Sequence, residues 1–224
     1  MNRTSALTFC FISLILAFFS PPSIAESDTS HALGLEALSL FAQCDASFFN
    51  ALKKQPDMLG SEVKIQNRGS SATITVNDPL SEKGSEQHFK SPVVINGLRL
   101  IAWHNNIEYN VTMGGFLFWG FKVNGDPDAV AKTINAMLPD SRKVTKSGPG
   151  WARGEIHNIG DPFDVWHPGG AGGTVAAKGT VERVLLIEQE SPLETNVYCS
   201  LQGSITAPLL QQSRPDILTS EYPK

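Results

Sequence analysis

The chain has 224 residues, with 18 Lys and Arg against 22 Asp and Glu, a formal net charge of −4. That mild acidity argues against a nucleic-acid ligand, which needs a basic face, and against a polybasic membrane-surface site. The length suits one domain, or at most two small ones, with an ordinary core.

The first element reads as an export signal. Arg3 precedes an apolar to weakly polar run from Ala6 to Phe19, which ends at Pro21-Pro22. As a helix the run measures about 21 Å, short of the roughly 30 Å hydrocarbon core. Ser23-Ile24-Ala25 supplies the small-x-small pattern of a cleavage site, so residues 1–25 are expected to be removed. Cleavage takes away Arg3 alone among the charged side chains and leaves 199 residues with 17 Lys and Arg against 22 Asp and Glu. No later run is long enough for a transmembrane segment. The expected location is periplasmic or secreted.

Cys10 leaves with the signal, and the mature chain keeps Cys44 and Cys199. Cys44 falls in the pattern Ala37, Phe41, Cys44, Phe48, Leu52, one apolar face of a helix. Cys199 falls in the alternation Val197, Cys199, Leu201, one face of a strand. Two inward cysteines in an exported chain predict a Cys44–Cys199 disulfide joining the first helix to the last long strand. Without Cys-x-x-Cys spacing the pair reads as a staple, not a redox site.

Residues 26–31 read as a loose polar leader, followed by one helix from about Ala32 to Gln55, stopped by Pro56. Val63 and Ile65, then Ala72, Ile74 and Val76, alternate around Asn67-Arg68-Gly69 as a hairpin. The next hairpin turns at Asn96-Gly97, a pair suited to a type I′ turn, with Pro92 marking an edge strand or bulge. Ile107 to Met113 reads as a further strand, and His104-Asn105-Asn106 with Glu108 form a polar cluster read as a turn between two strands. Phe116 to Val123 is apolar almost throughout, as in a central strand. Trp103, Phe116, Phe118, Trp119 and Phe121 are candidate core. Asn110-Val111-Thr112 is a glycosylation sequon, relevant only in a eukaryotic secretory route.

A second helix starts at Asp126-Pro127-Asp128, a capping residue followed by proline at the first helical position. Its inward stripe is Val130, Ile134, Met137 and Leu138. Residues 140–150 read as a linker, and glycine and proline keep the chain irregular to Gly173. Thr180 to Gln189 and Thr195 to Thr206 form a last strand pair. The expectation is an α+β fold: a single domain over 26–207, mainly antiparallel sheet with two helices packed on it. Weak periodicity predicts a poorly ordered C-terminal tail over 208–224.

No stretch carries a catalytic or cofactor-binding signature. Gly-x-Ser-x-Gly is absent, and Gly169 to Gly173 leads into a strand rather than a phosphate-binding helix. The absence of these signals favours a binding protein over an enzyme, with no cofactor. Two clusters remain in the irregular segment. Trp151, Phe163 and Trp166 are large aromatic side chains in a glycine-rich loop, suited to anchoring a protein partner. His157, Asp161, Asp164 and His167 are the densest set of metal-ligand types, although Gly160 and Pro162 keep them off one helical face. The leading reading is an exported binding protein of the cell envelope, holding or neutralising another exported protein. A hydrolase or metal-dependent enzyme using the 157–167 loop, and a carrier of a small apolar ligand, are the alternatives.

Overall fold

The computed structural model describes residues 24–222 other than 82 and 171–174. The segment expected to be an export signal, residues 1–25, therefore lies outside the described residues except at its last two positions. Helices α1 (Ile24–Phe41) and α2 (Ala46–Lys54) are followed by a hairpin of β1 (Ile65–Arg68) and β2 (Ser71–Ile74). Then come β3 (Ser85–Ile95), β4 (Leu98–Asn110), β5 (Gly114–Asn124) and α3 (Pro127–Met137). The second half comprises β6 (Thr145–Ser147), β7 (Gly150–Asn158), β8 (His167–Pro168), β9 (Thr180–Ser191), β10 (Glu194–Gly203) and α4 (Ala207–Ser213).

Eight strands make one sheet in the order β3-β4-β5-β10-β9-β7-β6, with β8 also pairing with β7. Every strand pair in it is antiparallel. Two three-stranded meanders, β3-β4-β5 and β7-β9-β10, meet along β5 and β10, and each is followed by a helix. This is the expected α+β class, with four helices among the described residues rather than two.

The sheet buries one face under the helices. Leu117, Trp119, Phe121 and Val123 of β5 alternate inward, beside Val197, Cys199 and Leu201 of β10. Phe41 of α1 and Phe48 of α2 meet this face edge-on, with Phe41 5.0 Å from Phe121 and Phe121 4.8 Å from Trp103. Burying each such ring contributes roughly 1.5–3 kcal/mol. Val130, Ala131 and Ile134 of α3 and Leu209 and Leu210 of α4 complete the core.

The Cys44–Cys199 bond is present, with the cysteines 155 residues apart. It ties the turn after α1 to the centre of the sheet. All five residues of the Ala37–Leu52 pattern are buried, but they do not belong to one helix. Cys44 takes φ +56°, which breaks the helical path. Asp45 then caps a new helix, accepting from Ser47 N at 2.8 Å. Residues 26–31 are helical rather than loose, so the expected cleavage point after Ala25 falls in the first turn of α1.

Other boundaries follow local chemistry. Asn96 and Gly97 both have positive φ, and β3 is an edge strand whose register shifts between His88 and Val93, around Pro92. Asp126 caps α3 by accepting from Asp128 N and Ala129 N. The turn expected at His104–Asn106 does not form. β4 runs through it, with Asn105 and Ile107 buried, and the hairpin turns instead after Asn110. The 140–158 stretch contains β6 and β7, where a linker over 140–150 and an irregular segment after it were expected.

The 208–224 segment is packed over its described residues. Leu209, Leu210 and Ile217 are buried, and Arg214 is wholly inaccessible. Its guanidinium carbon lies 4.3 Å from the Trp119 ring and 4.7 Å from Phe49. Asp216 accepts from Arg214 at 2.8 and 2.9 Å, so the arginine enters the core already neutralised. A buried arginine carries no apolar periodicity, which hides the segment from pattern reading.

Candidate functional site

The candidate site forms where the helices stop covering the inward face of β7 and β9. Along β7, Trp151, Arg153, Glu155 and His157 alternate on that face, opposite Ile187, Leu185, Arg183 and Val181 of β9. The loop from Ile159 to Trp166 folds back over the far end of this row. His157 fixes it from below: its Nδ1–H donates to Val165 O at 3.0 Å. A carbonyl only accepts, so the proton sits on Nδ1. The His157 ring lies 5.3 Å from Trp166 and 6.4 Å from Phe163. Trp166 Nε1 donates to Phe163 O at 3.2 Å, and the Arg183 guanidinium lies 4.2 Å from the Trp166 ring. The loop is thus held by a histidine, an arginine and its own indole.

Between this loop, the start of α2 and the end of α4 lies an open cleft of about 320 Å³. Phe163, Asp164 and Trp166 form one wall, Asp45, Ser47 and Asn50 another, and Arg142 and Arg183 the floor. Glu155 Oε2 accepts from Arg183 Nε and Nη2 at 3.1 and 2.9 Å. Arg142 Nη1 stands 3.3 and 3.4 Å from the two Glu155 oxygens. Beneath them Arg153 donates to the carbonyls of Arg142 and Ala42 at 2.8 and 2.7 Å. Burial lowers its pKa to about 10, opposed by Glu155 and assisted by repulsion from Arg142 and Arg183.

The structure brings only part of the sequence-derived clusters together. Phe163 and Trp166 share the cleft wall, but Trp151 lies at the opposite end of β7. Its Nε1 donates to Asp128 Oδ1 at 2.8 Å, with Lys146 Nζ 5.3 Å from its ring, fastening β7 to the start of α3. Lys146 Nζ also donates to Asp128 Oδ1 at 2.6 Å, and the lysine first and then the indole hold the Asp128 carboxyl below its usual pKa.

The four proposed metal ligands are dispersed. His157 is buried and bonded to Val165, Asp164 lines the cleft, and Asp161 pairs with His167 at 3.4 Å. His167 is registered against Ile156, so it projects to the face opposite His157. Among the described residues no three His, Cys, Asp or Glu side chains converge as metal ligands. The apolar cavity between α1, α3 and the sheet, lined by Leu38, Phe41, Ile134 and Leu185, holds about 10 Å³, at most the room of one water. It offers no space for an apolar cargo.

Asp45, Arg142, Glu155 and Arg183 escaped the sequence reading. The available signal was the alternation Arg153, Glu155, His157, a strand with polar residues on its inward face. In a segment dense in glycine it reads as a loop.

Fold and cleft together define a disulfide-tied α+β domain whose helices leave a polar, aromatic-walled opening on the sheet. Comparison with protein-family models, curated proteins and solved structures finds no match to the chain. Among the described residues no helix is long and apolar enough to cross a membrane.

Proposed function

We propose that this chain is an exported binding protein of the cell envelope that holds or neutralises another exported protein through the Phe163–Trp166 loop. The observation that carries the reading is the way this loop is fixed. Trp166 is anchored by Arg183 and His157, whereas Phe163 remains 44% exposed beside the cleft. An aromatic side chain presented on a preordered loop costs little entropy to immobilise on binding, which is the property of a contact anchor. The buried disulfide supports export, because such bonds persist in oxidising compartments. Trp151, engaged by Asp128 at the other end of β7, is not part of this contact element.

Affinity capture from envelope and supernatant fractions tests the binding reading. Wild-type protein is expected to retain one stoichiometric partner, and Phe163→Ala to lose most of it. Equal capture by both would remove the loop from the function. Export is tested separately by sequencing the N-terminus of the expressed full chain, which should begin at Glu26.

A further inference from the structure

The floor of the cleft holds more guanidinium than its own carboxylate satisfies. Glu155 faces three arginines: it bonds Arg183 and Arg142, and Arg153 Nε stands 4.0 Å away. That Nε is buried without a hydrogen-bond partner. Mutual repulsion of the three cations is one of the causes that lower the Arg153 pKa. A further negative group at this floor would relieve that repulsion.

Arg183 shows where such a group fits. Its side chain is 6% exposed, one edge is taken by Glu155, and its guanidinium lies against Trp166. On the remaining edge Nη1 is 3.8 Å from Asp45 Oδ2, beyond hydrogen-bond range. Asp45 does not close the gap, because its other oxygen is held as the cap of α2 by Ser47 N at 2.8 Å. Asp164, the other carboxylate lining the cleft, is exposed at its rim. Arg142, a third exposed, stands beside Arg183.

We infer that Arg183 and Arg142 receive a carboxylate of the bound protein, with a neighbouring apolar side chain of that protein resting on Phe163. A planar oxyanion matches the fork of guanidinium donors, and a partly buried arginine is screened less by water than a surface lysine would be. The carboxylate belongs to an acidic side chain or to a chain terminus, and both present the same group. The inference rests on the loop being the contact element.

Three short peptides test it on the disulfide-bonded mature protein by calorimetry. Acetyl-Glu-Phe-amide carries a side-chain carboxylate, acetyl-Gln-Phe a terminal one, and acetyl-Gln-Phe-amide neither. At least one charged peptide is expected to bind about tenfold or more tighter than the neutral one, the worth of a charge-assisted hydrogen bond. Whichever binds identifies the source of the carboxylate. Arg142→Gln, at a partly exposed position, should reduce that preference at unchanged melting temperature. Equal binding of all three peptides, or none by any, overturns the inference. If partner capture still depends on Phe163 in that case, the contact reading stands without it. If capture is indifferent to Phe163, that reading falls by itself.

Discussion

Arg183 and Trp166 lie against each other, the guanidinium carbon 4.2 Å from the indole centroid, and this contact joins the aromatic loop to the sheet. Arg183 belongs to β9 and is fixed by Glu155 on the neighbouring β7, so the loop inherits the rigidity of two paired strands. The histidine below adds a second attachment through Val165. These side chains add to the loop's own backbone turns, in which Val165 N donates to Pro162 O at 2.9 Å and Asp161 N to Asn158 O at 3.0 Å.

Trp166→Ala should detach the loop without unfolding the domain. It removes the contacts with Arg183 and His157 and the indole bond to Phe163 O. The expected loss is about 1–3 kcal/mol, set by one cation–π contact and partial burial of one large ring. Limited proteolysis should show new cleavage between Ile159 and Trp166, with the denaturation slope unchanged. Resistance equal to wild type would mean that the indole does not hold the loop.

Arg214→Ala should be far more costly. Arg214 is fully buried against Phe49 and Trp119, and its loss leaves Asp216 charged and unpaired in the core. Removing one partner of a buried ion pair costs about 3–5 kcal/mol. The double variant Arg214→Met with Asp216→Leu should recover much of that loss, because no orphaned charge remains. Urea denaturation of the two variants separates the pair's net contribution from the cost of breaking it.

The legible parts of this fold are those fixed by neighbours in sequence. Asp126, Pro127 and Asp128 specify the start of α3 within three residues, and Asn96-Gly97 specifies a turn within two. The disulfide was readable because each cysteine sits inside an apolar period. Residues whose burial depends on distant partners were not readable. Arg214 needs Trp119 and Phe49, and Arg183 needs Glu155 and Trp166. Neither residue stands out in the sequence. The same cause hides β7, whose inward face meets the cleft floor rather than the apolar core. Cys44 shows a different limit: the three-and-four spacing continues across it although the helix does not.

Reduction of the disulfide, or the double variant Cys44→Ala with Cys199→Ala, should destabilise the domain by about 2–5 kcal/mol. The bond closes a loop spanning 155 positions, for which chain-entropy arguments give about 5 kcal/mol as an upper bound. Intact mass should rise by two hydrogens on reduction under denaturing conditions. Under native conditions both sulfurs are buried, so reduction should require prior unfolding. Rapid reduction of the folded protein would contradict the burial of the pair.

The tyrosines give a prediction at alkaline pH. The chain has three, and burial raises the pKa of each. Tyr109, whose hydroxyl is enclosed without a hydrogen-bond partner, is pushed up to about 12 against an ordinary value of 10.0. Tyr198 is raised by burial and then by Glu86, Glu190 and Glu188, and Tyr222 by burial and then by Asp216. A raised folded pKa means that the native state keeps its protons where the unfolded chain has lost them. Stability is then unaffected below pH 10 and falls as the pH climbs from 10 towards 12. Ultraviolet titration should show little tyrosinate near pH 10, and its appearance should coincide with loss of near-ultraviolet dichroism. Tyr109→Phe should flatten the fall in stability above pH 10, because the group that ionises in the unfolded chain is gone. A normal titration near pH 10 with the fold intact would show that the Tyr109 hydroxyl is open to water.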